Sequence, residues 1–368
     1  MSRTRTIKRT VSNLVMLSDF PEPKASKKHY MKEFKQVIHD SDIILEILDA
    51  RDPMGCRCRD IEAEILGMEQ GKKKIILVLN KIDLVPMPVV MAWKRILERE
   101  YACILFKANT QGQTDRLGAN KLFQNSLNKN PELANEIIGT QKSVGTDKLM
   151  QLIKNYSKSD GVKSAVTVGV IGFPNVGKSS IINSMKKQRA VGVSATAGFT
   201  KSLQLVEIDS KVKIIDSPGV ILSNEDEVTL VLRNQINAKD VKDPIKPIEE
   251  ILRRSNKEKI MIFYKIADFT NPTQFLLHVC QSRGKMKKGG IADLESTARL
   301  IIGDWNSGEM SHYLPPPGFD PTVLLDYDEN MGLEINEMDD FVPKNTGHGL
   351  TVTDIDVQDE LQTGMALD

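Results

Sequence analysis

The eight residues Gly172-Phe173-Pro174-Asn175-Val176-Gly177-Lys178-Ser179 follow the spacing G-x-x-x-x-G-K-[ST] in full. Glycines in this pattern let the backbone turn tightly enough for its N–H groups to converge on phosphate oxygens. Lys178 can then neutralise β and γ oxygens, and Ser179 can offer a hydroxyl to Mg²⁺. The bland alternative, a chance glycine-rich turn, does not account for the context. An apolar run, Ala165–Ile171, precedes the loop, and Ile181, Ile182 and Met185 mark an amphipathic segment after it.

Phosphates do not identify a base. Asn80-Lys81-Ile82-Asp83 does: a carboxylate at Asp83 can accept from both the N1–H and the N2 amino group of guanine, and adenine offers no such pair of donors. Asn80 would tie this segment to the phosphate loop, and the Lys81 stem would cover the base face. Charged turns of four residues are common. This one gains weight from its place at the end of the apolar run Ile75–Leu79 in a chain that also carries a phosphate loop. In Lys107-Ala108-Asn109, after a third apolar run, a backbone N–H would reach guanine O6; position alone supports that reading.

Asp216-Ser217-Pro218-Gly219 ends another apolar run. It supplies a carboxylate for the Mg²⁺ shell, through water, and a Gly219 N–H for the γ-phosphate. Thr200 is the candidate that completes the metal shell when a γ-phosphate is present; the competing reading is an ordinary loop threonine. The expected metal ligands are therefore Ser179, Thr200 and Asp216, and the expected catalytic groups Lys178, Thr200 and Gly219. Val220 follows, and its side chain cannot orient an attacking water. Asn175 has two readings: a residue that helps hold K⁺ near the phosphates, or one that merely shapes the loop. His29 is either a general base or, more commonly for its kind, an exposed histidine.

These residues need elements to position them. Met31, Phe34 and Ile38 repeat at helical spacing, and Ile43–Leu48 reads as a buried strand. Ile75–Leu79 and Cys103–Phe106 are further strands, with an amphipathic helix through Val89, Trp93, Ile96 and Leu97 between them. Residues 109–145, rich in Asn, Gln, Gly and Lys, read as an insertion with one short helix around Ala134–Ile138. A helix near Lys148–Tyr156 leads to the strand before the phosphate loop, and Leu203–Ile208 with Lys211–Ile215 form a hairpin. Strands alternating with helices predict an α/β fold with a mostly parallel sheet. Beyond residue 223 only helical periodicity remains, at Val228–Ile236, Ile248–Leu252, Phe275–Val279 and Ile291 to Trp305. The expected organisation is a basic arm over 1–30, a nucleotide-binding domain over 31–223, an all-α domain over 224–318 and an acidic tail over 319–368.

The net charge of +1 conceals an uneven distribution. From Asp320 to Asp368 the chain carries thirteen acidic residues against Lys344 alone. The remaining body is strongly basic and suited to RNA, whereas the tail is not. Within the helical part, Arg283-Gly284-Lys285-Met286-Lys287-Lys288-Gly289-Gly290 is either a phosphate-backbone contact or a solvated charge run. No apolar run is long enough to span a bilayer, and no apolar stretch follows the basic start, so a non-membrane protein is expected. Cys56, Cys58, Cys103 and Cys280 offer no disulfide framework, and Cys56-Arg57-Cys58, too closely spaced for the usual zinc pair and with no matching second pair, is expected to carry reduced loop thiols.

In this chain the base-reading segment precedes the phosphate loop, and this order resembles the circularly permuted GTPases of the YlqF/YawG type. Asp49-Ala50-Arg51-Asp52-Pro53, Gly55-Cys56-Arg57-Cys58, Gly198-Phe199-Thr200-Lys201, Lys287-Lys288-Gly289-Gly290, Asp304-Trp305 and Leu314–Pro317 extend the resemblance to the eukaryotic nucleostemin-like branch. It runs from about Lys28 to Pro317. The resemblance implies a Ras-like P-loop sheet with permuted connections and a small all-α domain after it. It also implies GTP binding and hydrolysis to GDP with Mg²⁺, K⁺ being used by some relatives, and a hydrophobic residue where Val220 stands. It further implies a monomer that acts in large-subunit (pre-60S) assembly or export, with rRNA and ribosome-assembly proteins as partners, in the nucleus and nucleolus. A cytoplasmic or organellar relative and a scaffold with negligible hydrolysis are the alternatives. Two departures stand out: the lysine-rich N-terminal region is reduced to a short arm, and Ala197 stands where the family usually has proline.

Overall fold

The computed structural model describes residues 34–67, 73–110, 117–120, 123, 134, 137–159, 165–193, 203–219 and 226–324. His29, Thr200, Val220, the basic arm and the acidic tail beyond residue 324 lie outside them.

The apolar runs form one six-stranded sheet in the order β3-β2-β1-β6-β8-β7. Its strands are β1 (Ile43–Asp49), β2 (Lys74–Asn80), β3 (Ala102–Leu105), β6 (Val166–Ile171), β7 (Gln204–Asp209) and β8 (Val212–Asp216). All neighbours are parallel except β7, which returns antiparallel to β8 at the edge. Every residue of β1 is buried, as a central parallel strand covered on both faces must be. β7 is largely exposed, as an edge strand can be.

The register decides where the chemistry sits. Asp49 at the end of β1 pairs with Asn80 at the end of β2, and β6 on the other side of β1 runs straight into Gly172. The base-reading and phosphate segments therefore leave the sheet at the same edge, where parallel α/β sheets place their ligands. Since β1 lies between β2 and β6, this neighbourhood is reached although the two segments occur in inverted order along the chain.

Helical residues 34–40 (α1) precede the sheet, and α2 (Arg59–Gly67), α3 (Met87–Leu97), α4 (Thr146–Ser159) and α5 (Lys178–Lys186) alternate with its strands. After the last strand come α6 (Glu227–Leu232), α7 (Lys246–Arg254), α8 (Lys257–Tyr264), α9 (Pro272–Ser282) and α10 (Leu294–Ser307). Asp226, Asn256, Asn271 and Asp293 each cap a helix by accepting a backbone N–H, which satisfies one of the open donors of the first turn. α10 buries Ala298, Ile301, Ile302 and Trp305 at helical spacing.

Several sequence expectations shift. The Val228–Ile236 helix ends at Leu232, and Gln235 N–H instead bonds the Leu230 carbonyl. Ile291, assigned to the last helix, is 66% exposed and precedes the Asp293 cap. α8 was not expected, because Ile260-Met261-Ile262-Phe263-Tyr264 is a continuous apolar run without visible period; only Ile260 and Tyr264 are buried. Within 109–145, Ala119–Asn120 (β4) pairs in parallel with Ser143–Val144 (β5), a strand pair absent from the sequence reading. Residue 134 and residues 137–139 are helical, near the expected short helix. The four cysteines are free, as expected, and all are buried: Cys56 in a short 3-10 turn, Cys58 in the loop after it, Cys103 in a strand and Cys280 in a helix.

Candidate nucleotide site

The phosphate loop is shaped by contacts its glycines permit. Gly177 has φ of 100°, and a Cβ there would stand 2.3 Å from Asn80 Nδ2. A Cβ on Gly219 would stand 2.8 Å from Pro174 Cα, so the Asp216–Gly219 turn lies directly against the loop. Phe173 and Val176 are buried and anchor the loop in the core.

Lys178 is buried and donates to the carbonyls of Gly172 at 3.0 Å and Phe173 at 2.8 Å. Burial lowers its pKa to about 8, against the opposing pull of the Asp216 carboxylate. Phosphate oxygens in place of those carbonyls would favour the full cation. Ser179 Oγ donates to Asp216 Oδ2 at 2.7 Å, while Asp216 Oδ1 is buried without a partner. Burial raises the Asp216 carboxyl above its ordinary range. Ser217 fixes this strand end by donating from Oγ to the Val170 carbonyl at 2.5 Å, and Pro218 is buried beside it.

A hydroxyl beside a carboxylate with an unspent oxygen suits Mg²⁺, which takes oxygen ligands and keeps several waters. Ser179 and Asp216 would hold it, directly or through water, and bound there it supplies charge neutralisation to phosphate oxygens. For K⁺ the described residues offer less. Asn175 Nδ2 donates to the carbonyl and Oδ1 of Asn234, at 2.8 and 3.1 Å, so that side chain could offer a cation only its amide oxygen as a ligand.

At the base end, Asn80 Nδ2 donates to the Val176 carbonyl at 2.7 Å, tying the two segments as the sequence leads one to expect. Ile82 is buried under the following turn. Lys81 is drawn to Asp49, its Nζ lying 2.8 Å from Oδ2. Lys107 turns inward: its Nζ donates to the carbonyls of Ile138 and Thr140 at 2.5 and 2.6 Å and stands 3.8 Å from Asp83 Oδ2. The N–H groups of Lys107 and Asn109 are taken by the Val144 carbonyl and Ser184 Oγ. Ala108 is the residue of that trio left to offer a backbone donor.

Asn80, Lys81, Asp83, Ala108, Pro174, Asn175, Gly177, Lys178, Ser179 and Gly219 line one cavity of about 530 Å³. Ile82, Lys107, Gly172, Phe173, Val176, Asp216, Ser217 and Pro218 stand behind it as packing or hydrogen-bonding support. The far wall comes from the helical segment: Asn234, Asn237, Ala238, Gly303, Asn306 and Ser307. Sequence reasoning did not anticipate this wall, because no spacing links residues so distant in the chain.

The Asp49-Ala50-Arg51-Asp52-Pro53 segment also acquires a physical role. Arg51 pairs with Asp49 at 2.7 Å and donates from Nη1 to the carbonyls of Trp305 and Asn306, while Arg233 pairs with Asp52 at 2.5 Å. Burial opposes the Asp49 charge, yet Lys81 and Arg51 together hold its carboxyl well below the usual range. Asp49, Arg51, Asp52 and Arg233 border a second cavity of about 280 Å³ that is also lined by His312, stacked on Trp305 at 3.6 Å. Burial, reinforced by the Arg51 charge, lowers the His312 pKa to about 3.

The profile of the 50S ribosome-binding GTPases matches residues 167–268. The guanine nucleotide-binding protein-like NSN1 of Arabidopsis thaliana is 42% identical over 295 residues, which are 79% of this chain and 49% of that protein. The guanine nucleotide-binding protein-like 3-like protein of Bos taurus is 42% identical over 304 residues, 82% of this chain and 52% of its own length. GNP-bound YlqF from T. maritima aligns with a TM-score of 0.48 at 20% identity, over 79% of this chain and 100% of that one. The chain thus spans about half the length of the curated relatives it matches. Over the region it shares with them, with its base-reading segment ahead of its phosphate loop, the chain belongs to the nucleostemin-like circularly permuted GTPases.

Proposed function

We propose that this protein binds GTP with Mg²⁺, hydrolyses it to GDP, and uses the cycle as an assembly or export factor for the large ribosomal subunit. The observation that carries the nucleotide part is the single cavity into which the Asn80 bond draws both Asp83 and the phosphate loop. Lys178 and the Gly219 N–H would stabilise charge developing on the γ-phosphate. Thr200 would complete the metal shell in the GTP state. Hydrolysis is slow without help, since Val220 cannot position water, and the pre-ribosome completes the site. Single-turnover hydrolysis with and without large-subunit precursors and K⁺ tests this; no acceleration under any condition would favour a nucleotide-dependent scaffold.

The ribosomal part rests on the match to ribosome-binding GTPases and on charge. Residues 281–291 are exposed without interruption, and Arg283 lies over Phe263 and Tyr264 at 5.8 and 5.4 Å, within a turn carrying Lys285, Lys287 and Lys288. Such a surface suits an RNA phosphate backbone. Cross-linking in cells should enrich large-subunit rRNA, and a tagged chain should collect in the nucleolus. Recovery of no large-subunit rRNA would sink the ribosomal role while leaving nucleotide binding intact.

A further inference from the structure

A nucleotide pocket made by the sheet edge alone would recognise base and phosphates. Here the helical segment closes it along the opposite side. At the phosphate end Asn234 holds Asn175 through two hydrogen bonds. At the base end the helix α10 terminates against the base-reading turn: a Cβ on Gly308 would stand 2.9 Å from both Leu84 methyl carbons. Between these contacts the helical wall presents Asn237, Ala238, Gly303, Asn306 and Ser307. Base and triphosphate are joined through ribose, so the middle of this wall faces the sugar of any nucleotide bound in the order the two loops dictate.

The chemistry of that stretch fits hydroxyl groups. It is the C-terminal end of a 14-residue helix, where the aligned backbone dipoles leave partial negative charge although the carbonyls of Asp304, Trp305 and Asn306 already accept from Ser307, Gly308 and Arg51. Such an end attracts hydroxyl donors and disfavours phosphate oxygens. Asn237 Oδ1 already accepts the Lys239 N–H, and Ser307 Oγ already donates to the Asp304 carbonyl. Asn306 is different: its Oδ1 is shielded from solvent and has no hydrogen-bond partner. A buried amide oxygen left unspent is uncommon and calls for an explanation. Its backbone is meanwhile fixed, because the Asn306 carbonyl accepts from Arg51 at 3.2 Å, and Arg51 is held by Asp49 beside Lys81.

We propose that Asn306, at the end of α10, binds the ribose hydroxyls of the guanine nucleotide, so that the helical segment reads the sugar while the sheet edge reads the base and phosphates. The inference rests on the nucleotide reading above and adds a specificity-determining residue to it. It also gives the helical segment a direct contact with bound nucleotide that does not depend on the γ-phosphate.

The test is equilibrium titration of the full chain with GTP, 2′-deoxy-GTP and 3′-deoxy-GTP. One lost neutral hydrogen bond corresponds to about 3- to 10-fold in affinity, so at least one deoxy analogue should bind that much more weakly than GTP. Asn306→Ala should bind GTP as weakly as wild type binds that analogue and should no longer distinguish the two. Gly303→Leu provides a second probe. A Cβ at Gly303 meets nothing within 4 Å, and leucine favours the helix, so the variant should fold yet crowd the wall and weaken all three ligands. Equal affinity of wild type for all three nucleotides, discrimination retained by Asn306→Ala, or unchanged binding by Gly303→Leu would overturn the proposal. Failure of any guanine nucleotide to bind would instead remove the reading on which it stands.

Discussion

Asn80 and Val176, 96 positions apart, are joined by a 2.7 Å hydrogen bond from the asparagine amide to the backbone carbonyl. That bond crosses the end of β1 and fixes the distance between the loop that reads the base and the loop that holds the phosphates. Asn80→Ala would leave a carbonyl unpaired in a buried place, at a cost of about 1–3 kcal/mol. We expect nucleotide affinity to fall about 10-fold. Calorimetric titration of the folded variant checks this, and unchanged affinity would show that the loops hold their spacing without the bond.

Lys178 carries a second prediction. With its pKa near 8, a solution at pH 8 leaves it about half protonated, and phosphate oxygens should restore the full charge, so binding should take up about half a proton. Titrations at pH 8 in buffers of different ionisation heat measure that number. Lys178→Ala should show no such uptake, and proton release by the wild type would contradict the assignment. The linkage to folding has the matching sign. The folded pKa lies below the unfolded one, so the free protein should gain stability as pH rises from about 8 to 10.5.

His312 sets an acid limit. Its folded pKa of about 3 lies below its ordinary 6.5, so below pH 6.5 the unfolded chain takes up a proton that the folded one refuses. Stability should therefore decline as pH falls from 6.5 toward 3, by about 2 kcal/mol at pH 5 from this residue. His312→Phe, which keeps a ring to stack on Trp305, should flatten that part of the profile in denaturant unfolding. An unchanged slope would place the acid sensitivity elsewhere.

Arg51 links the sheet edge to α10. Arg51→Met would remove the partner of a buried carboxylate and two donors from helix-terminal carbonyls, destabilising the fold by about 3–5 kcal/mol. Urea unfolding measures it. A loss below 1 kcal/mol would mean that Lys81 alone satisfies Asp49.

What the sequence makes legible follows from range. The strands of the sheet and the glycine-bounded loop are local signals: runs of apolar residues, tight turns, and fixed spacings. Asn80 and Asp83 are legible because their chemistry is specific to guanine. The wall formed by Asn234 and Asn306 is not, since nothing local distinguishes an asparagine lining a cavity from one at a helix end. Glu46 shows the same limit from inside the core. It sits in the apolar run of β1, accepts the Cys58 N–H at 2.7 Å, and burial beside Glu62 raises its pKa to about 8. Burial favours its uncharged form, and a hydropathy pattern passes over such a polar core residue.

Asp83 is the residue on which guanine selectivity rests. Competition titrations of wild type and Asp83→Asn with GTP, ATP and xanthosine triphosphate measure base selectivity, because xanthine replaces the amino donor of guanine with a carbonyl acceptor that an asparagine amide can serve. The account predicts that wild type prefers GTP by at least about 100-fold, as expected for a site that loses a charge-assisted hydrogen-bond pair, and that Asp83→Asn loses GTP and gains the xanthine nucleotide. Equal binding of GTP and ATP by the wild type, or undiminished GTP selectivity in Asp83→Asn, would contradict it.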